Sequence, residues 1–207
     1  HVRLHRGRTM VVKVGGEPLA RSGGTERFAR QLAVVQALGA RVVVVHGGGP
    51  QTDDLQRTLG DEPKKIDGRR VTNKTAMRAL RMATAGELHG DVVAALGAAG
   101  ALAVGISGAS VVTALRRPPI ETSAGLVDLG EVGDVASVDP APFRALLEAG
   151  RMPVVSPPVG DGRGGFLNVN ADLLAASLAT ALGAAKLVFV TGAPGILANP
   201  SDRSTLL

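Results

Sequence analysis

Lys13 is the fifth residue of the run Thr9–Val14, TMVVKV, which breaks at Gly15-Gly16. An ammonium inside an apolar strand is costly without a partner. Lys13 therefore belongs either at an exposed strand end or at the carboxyl edge of a sheet, where open parallel sheets hold ligands. A second run, Arg41-Val42-Val43-Val44-Val45, stops at His46-Gly47-Gly48-Gly49-Pro50-Gln51. Glycines let backbone approach a ligand, and the free N–H groups at a helix start point toward negative charge. The same residues also suit a purely structural turn. Further on, Arg70 offers a planar fork of donors that fits a carboxylate, although a loop arginine is ordinarily solvated. Cations and backbone donors gathered around an anion are the chemistry these residue types support.

The elements that would carry them follow from periodicity. Thr9 to Val14 and Val42 to Val45 read as strands buried on both faces, because alternation is missing and valine favours extended backbone. Between them, Phe28, Leu32, Val35 and Leu38 mark a helix over 25–38, with Thr25 as its N-cap and Gly39 as its stop. This strand–helix–strand unit is expected to be right-handed and to bring both glycine turns to one sheet edge. Pro50 suits a first helical turn, after which Leu55 and Leu59 share a face. A helix is expected over 73–96, with apolar Met77, Leu80, Ala83, Leu88, Val92 and Leu96. Pro118-Pro119 and the stretch 125–133 suggest a β-hairpin, a flap over a substrate. A helix over 140–149 stopped by Gly150, a buried strand over 153–156 and a flexible loop over 160–165 come next. Leu173 to Leu182 reads as a packed helix that Asp172 caps or whose dipole it complements. A last buried strand, Lys186 to Val190, ends at Thr191-Gly192-Ala193-Pro194-Gly195.

With 207 residues the chain suffices for one well-buried domain or two small ones. Its 45% hydrophobic and 20% charged content describes a globular protein, and 2% aromatics leave the core to Val, Leu, Ala and Ile. No apolar run approaches the ~20 residues of a membrane span, and no signal pattern opens the chain. The absence of cysteine excludes disulfide and thiolate chemistry and fits the cytoplasm. The net charge of +5 is spread over scattered cations such as Arg69, Arg70, Arg78, Arg81, Arg116 and Arg117. Without aromatics to stack bases, nucleic acid is not an expected partner, and a small acidic ligand accounts for the cations more economically. The opening His1 to Gly7 is expected to fray.

VVKVGG followed by VVVVHGGGPQ resembles the amino-acid kinase family. Asp67-Gly68-Arg69-Arg70-Val71-Thr72 is similar to that family's Gly-x-Arg-Val-Thr segment in its acetylglutamate-phosphorylating branch. Ala103-Val104-Gly105-Ile106-Ser107-Gly108, Leu129-Gly130-Glu131-Val132-Gly133 and Met152-Pro153-Val154-Val155-Ser156 resemble further segments of it. Asn168-Val169-Asn170-Ala171-Asp172 matches its motif as it stands. The resemblance runs in order and spacing from Val11 to Leu207, and the ordered set is far more specific than any one motif.

The resemblance implies an α/β fold, a three-layer αβα sandwich around a mainly parallel sheet, and ATP-dependent transfer of a phosphoryl group to a carboxylate. Such transfer needs alignment and positive charge around the equatorial oxygens more than covalent help. By analogy, Lys13 and Asp172 are the catalytic residues, Lys13 on the transferring group and Asp172 orienting it. Gly48, Gly49, Arg70 and Asn168 would bind the acceptor, N-acetyl-L-glutamate, and the N–H groups of Gly15 and Gly16 the phosphate. ATP with Mg2+ carried by the nucleotide is the implied donor, with no resident metal. A cytoplasmic homodimer of arginine biosynthesis is the family expectation, with no nucleic acid and no membrane as partner. No Gly-Lys-Ser/Thr follows the glycines, so the turn is not a Walker loop. Residues 9–185 are read as the acceptor lobe and 186–207 as the start of a nucleotide-binding lobe. The rest of that lobe, with a second active-site lysine, would lie beyond Leu207. About eight residues precede the first strand, so the family's N-terminal arginine-feedback helix is not expected. Three positions depart from the family pattern: Gly108-Ala109 lacks a following Asp-Gly, Gly192 replaces an aspartate, and His89 an asparagine. His89 reads as a packing or helix-surface residue. Two other expectations fit the same residues: a kinase for a related acylated amino acid, and a non-catalytic domain that binds an amino acid or holds an oligomer.

Overall fold

The structure, a computed structural model, describes residues 5–66, 68–122, 125–192, 195, 198, 199, 202 and 204–206. His1 to Leu4, Asp67 of the arginine motif and Ala193-Pro194 of the last turn lie outside the described residues. The first elements are β1 (Thr9–Val14), α1 (Gly16–Ala20), α2 (Gly24–Ala37), β2 (Arg41–His46) and α3 (Gly49–Thr58). A small hairpin, β3 (Lys65–Ile66) and β4 (Arg69–Arg70), leads to α4 (Lys74–Ala79), a π-helical segment (Leu80–Leu88) and α5 (His89–Ala98). There follow β5 (Ala103–Ser107), α6 (Gly108–Val111), β6 (Val112–Arg116), β7 (Ile120–Thr122), β8 (Gly125–Val127) and β9 (Gly133–Val138). The chain continues through α7 (Ala141–Glu148), β10 (Met152–Ser156), β11 (Val159–Gly160), β12 (Phe166–Leu167), α8 (Ala171–Leu182) and β13 (Lys186–Val190).

Five strands pair in the order β13-β1-β2-β10-β5, every neighbour parallel. The valine runs supply both faces of this sheet. Val11, Val43, Val45 and Val155 pack toward Phe143 and Leu147 of α7 and Leu174, Ala175 and Leu178 of α8. Val12, Val14, Val42, Val44 and Val154 pack toward Phe28, Ala29 and Leu32 of α2 and Val92 and Leu96 of α5. Helices on both faces make the expected αβα layers, and a second sheet, β12-β11-β6-β9, packs on the α8 side. Register does the positioning. Lys13 lies beside Val45 and Phe189, and Val14 beside His46, so both glycine turns leave the same carboxyl edge.

Several elements differ from what the sequence predicts. Gly23, at φ 64°, is the N-cap of α2, and the Thr25 hydroxyl donates instead to the Leu19 carbonyl at 3.3 Å. The inward face of α3 is Thr52, Asp53 and Gln56, with Leu55 and Leu59 only half-buried. The helix expected over 73–96 begins at an Asn73 cap, whose Oδ1 accepts from Ala76 N at 2.8 Å, but it is π-wound in its middle. Asn170, rather than Asp172, caps α8 by accepting from the N–H groups of Asp172 and Leu173 at 2.7 and 3.2 Å. The loop over 160–165 is tied down, because Asp161 Oδ1 accepts from Arg163 N and Gly165 N at 2.7 and 2.8 Å. Those bonds favour the charged carboxylate and hold it below its ordinary pKa. Among the described residues β13 lies at one edge of the sheet and is half-exposed, with Phe189 48% exposed. The expected hairpin is present as antiparallel β7 and β8.

Candidate active site

The glycine pair after β1 and the glycine triplet after β2 meet in space. Gly15 N donates to Val190 O at 3.0 Å and Gly47 N to Val14 O at 2.9 Å, extending the parallel ladder past the strand ends. A Cβ on Gly16 would lie 2.9 Å from both Gly48 Cα and Gly49 N, so only hydrogen fits between the turns. A Cβ on Gly48 would lie 2.9 Å from Thr84 Cβ, a contact side chains do not tolerate. Gln51 Nε2 donates to Gly16 O at 3.0 Å and ties the start of α3 to the first turn. α3 begins at Gly49, and the first-turn N–H groups of a helix have no intrahelical acceptor. With Gly15 N and Gly47 N taken by the ladder, the donors left at this junction are those at the start of α3, a helix N-terminus suited to an anion.

Lys13 stands beside this patch. Its ammonium pairs with Asp172 at 2.9 Å, the lysine side chain 13% exposed and the aspartate 50%. Asp172 reaches Lys13 because the Asn170 cap starts α8 there, and Ala171 Cβ lies 3.7 Å from where a Cβ on Gly47 would be. The carboxylate also sits in the first turn of α8, where a negative charge is favoured. The structure thus brings together Lys13, Asp172, Gly15, Gly16, Gly48 and Gly49.

Arg70 joins from the other side. Its guanidinium donates to Gly49 O at 3.1 Å and Gln56 Oε1 at 2.9 Å and pairs with Asp53. Asp53 Oδ1 has no directed hydrogen bond among the described residues, and its pair with Arg70 is a charge contact. Its Oδ2 accepts from Lys65 Nζ at 2.8 Å, which leaves two cations on one carboxylate and a net positive corner. Asn168 donates to Thr72 Oγ1 at 3.0 Å, and its main chain bonds Glu131 O and Gly133 N. Gly130 takes φ 76° here, and a Cβ on it would lie 2.4 Å from Thr72 O. Arg70 and Asn168 line one narrow cleft of about 90 Å³ together with Arg117, Val132, Asn170 and Leu173.

His46 is fully buried at the end of β2, its Nε2 2.9 Å from His89 Nδ1 and its Nδ1 3.2 Å from Gly47 O. Burial, then the neighbouring His89, pull the His46 pKa down to about 3 from 6.5, against a weaker opposing hydrogen bond. Burial also lowers His89. Between pH 6.5 and 3 the unfolded chain therefore binds more protons at His46 than the folded one. Stability falls as pH drops through that window, by up to about 1.4 kcal/mol per pH unit. Urea unfolding at pH 7.5, 6.5, 5.5 and 5.0 is expected to show this slope, and His46→Asn to flatten it. A wild-type unfolding free energy unchanged from pH 7.5 to 5.0 contradicts the assignment.

Sequence reasoning missed Asp53, Gln56, Thr84, the His46–His89 contact and Arg117. Arg117 pairs with Asp134 at the cleft, and its Nε is buried without a hydrogen-bond partner among the described residues. The polar spacing Thr52, Asp53, Gln56 on α3 was the one visible signal, since a helix face of that kind buries polar groups only around a partner. The other contacts join residues far apart in the chain.

The sequence profile of the amino acid kinase family matches residues 8–207. The acetylglutamate kinase of Myxococcus xanthus is 43% identical over 215 residues, covering 100% of this chain and 70% of its own. That of Acidothermus cellulolyticus is 44% identical over 199 residues, covering 93% and 67%. Among solved structures, N-acetylglutamate synthase from Neisseria gonorrhoeae, complexed with coenzyme A and N-acetyl-glutamate, superposes with a TM-score of 0.81 at 29% identity. That match covers 96% of this chain and 45% of the synthase.

Proposed function

The chain belongs to the amino acid kinase family, and on that premise we propose that it is the acceptor-binding part of an acetylglutamate kinase. The reaction is ATP-dependent phosphorylation of the side-chain carboxylate of N-acetyl-L-glutamate, a step of arginine biosynthesis. The observation that carries the reading is the continuity of two half-sites. Gly49 touches the Gly16 turn beside Lys13 and accepts from Arg70 in the cleft that Asn168 shares. Arg70 takes the carboxylate that does not react, and Asn168 holds the acceptor's polar backbone. The Gly48 and Gly49 N–H groups hold the reacting end; Gly15 N–H is taken by Val190 O, so of the first glycine pair it is Gly16 N–H that faces the phosphoryl oxygens. Lys13 neutralises charge on the transferring group, oriented by Asp172. Magnesium arrives with the nucleotide.

Residues 9–185 form the acceptor lobe in this reading and 186–207 begin the nucleotide-binding lobe. Pairing of two copies along one sheet, giving a homodimer, accompanies it. The described residues include no helix long and apolar enough to cross a membrane, and a cytoplasmic site of action suits the biosynthetic role. A second reading, a domain that binds the amino acid without phosphorylating it, draws on the likeness to the synthase.

Calorimetric titration separates these. N-acetyl-L-glutamate is expected to bind with one-site stoichiometry, and N-acetylaspartate or N-acetyl-2-aminoadipate at least tenfold more weakly. Magnesium-ATP is then added and acyl phosphate trapped as its hydroxamate. Hydroxamate formation supports the kinase, and acetylglutamate binding without it, in a chain that also carries the rest of the nucleotide-binding lobe, supports the non-catalytic domain. Tighter binding of an analogue reassigns the acceptor, and a folded chain that binds none of them overturns the proposal.

A further inference from the structure

The carbonyls of the glycine triplet are all taken. Gly47 O lies 3.2 Å from His46 Nδ1, Gly48 O accepts from Thr84 Oγ1 at 3.1 Å and Thr52 N at 2.9 Å, and Gly49 O accepts from Arg70. A trans peptide is planar, so each carbonyl and the N–H of the next residue point in opposite directions. Whatever holds Gly47 O aims Gly48 N–H, and whatever holds Gly48 O aims Gly49 N–H. Those two N–H groups are the donors assigned to the acceptor.

The acceptors decide where the protons sit. A carbonyl only accepts, so His46 Nδ1 carries its proton and the Nε2 of this neutral ring is bare. The 2.9 Å contact between His46 Nε2 and His89 Nδ1 must be donated by His89. Both rings are therefore Nδ1–H tautomers, opposite to the form that predominates in free histidine. The His89 Nε2 lies beside Gly105, on a cleft of about 480 Å³ that Ser107 and Ser156 also line. The hydroxyls sort likewise: Thr84 gives its proton to Gly48 O, so Thr52 Oγ1 donates to Thr84 Oγ1 at 2.8 Å.

Thr84 and His89 are five residues apart, across the π-wound segment and its end. In an α-helix that spacing leaves two side chains about 140° apart. A π turn closes from i to i+5 and brings them toward one face. We propose that this segment exists to grip the glycine turn at two successive carbonyls, Thr84 directly and His89 through His46. His89 is then a positioning residue for acceptor binding, at one remove from the donors Gly48 N–H and Gly49 N–H. The inference rests on the acceptor reading above, and it makes His89 part of the site although it touches no substrate.

The test uses the whole chain with 15N-histidine labelling. Long-range 1H–15N spectra of the wild type are expected to show both rings protonated at Nδ1 and bare at Nε2. His89→Asn keeps a donor at the δ position, His89→Gln moves it to the ε position and His89→Ala removes it. Acetylglutamate affinity is expected to stay within threefold in His89→Asn and to fall about tenfold in the other two, with far-UV circular dichroism unchanged. The Gly48 and Gly49 amide resonances should move in the same two variants and hold in His89→Asn. A proton on His46 Nε2, glycine amides unmoved by His89→Ala, or affinities that follow side-chain size, with glutamine above asparagine, overturns the proposal. If the wild type binds no acetylglutamate, the acceptor reading fails by itself, and the tautomers and glycine amides still decide the relay.

Discussion

Lys13→Met is expected to lower kcat by about three orders of magnitude while leaving acetylglutamate affinity within about threefold. The variant keeps the length and apolar stem of the side chain, so the carboxyl end of β1 stays packed. Asp172 loses its partner, but at 50% exposure water can solvate it, and the fold survives. The effect falls on the transition state. Charge spreads over the equatorial oxygens of the transferring phosphoryl group, and loss of one preorganised donor in such a site costs roughly 10²–10³ in rate. A full positive charge on the reacting group belongs at the upper end of that range. Lys13→Arg should not restore the rate, because a planar fork cannot reproduce a point charge at the same position. Steady-state kinetics with ATP at saturating acetylglutamate, beside calorimetric Kd values, gives both numbers. A kcat within tenfold of wild type removes Lys13 from the chemistry.

Arg70→Ala is expected to weaken acetylglutamate binding by roughly 10²-fold and to lower thermal stability as well. The guanidinium side chain is 8% exposed and is fixed by Gln56, Gly49 O and Asp53 before any ligand arrives. A preorganised cation loses little entropy on binding, and truncating one partner of a buried charge pair costs about 2–5 kcal/mol. About 3 kcal/mol corresponds to the stated factor. The stability loss has a separate origin: Asp53, 13% exposed, would keep only Lys65 as a cation partner among the described residues. Arg70→Lys should recover part of the stability by answering Asp53. It should recover little affinity, since one ammonium cannot serve Gly49 O, Gln56 and a carboxylate together. Calorimetry and a melting curve on each variant separate the two effects. An unchanged Kd in Arg70→Ala places the acceptor's carboxylate elsewhere.

Much of the frame is a local property of the chain. The valine runs have no polar face to turn outward, so they settle in the middle of a covered parallel sheet. Gly39 and Gly150 stop their helices at φ 92° and 71°, conformations glycine adopts without strain. The ends of β1 and β2, the lysine at one of them and the run from Asn168 to Asp172 could all be placed from order and spacing. Caps were harder. Gly23 displaces Thr25 and Asn170 displaces Asp172, because the choice among neighbouring capable residues depends on where the incoming chain already points.

The valine strands, their glycine ends and the family motif are legible in the chain alone, since these depend on residues within a few positions of one another. What each polar group faces is set by the packed fold. His46 and His89 stand 43 positions apart, Thr52 and Thr84 are separated by 32, and Asn168 and Thr72 by 96. The spacing of Thr52, Asp53 and Gln56 shows one polar helix face, but not that the group packed against it is an arginine. Hydrogen bonds and ion pairs stabilise modestly, and leaving a buried polar group unsatisfied costs more. Their partners are therefore chosen after the sheet and helices have packed, by whatever donor the packing places within about 3 Å.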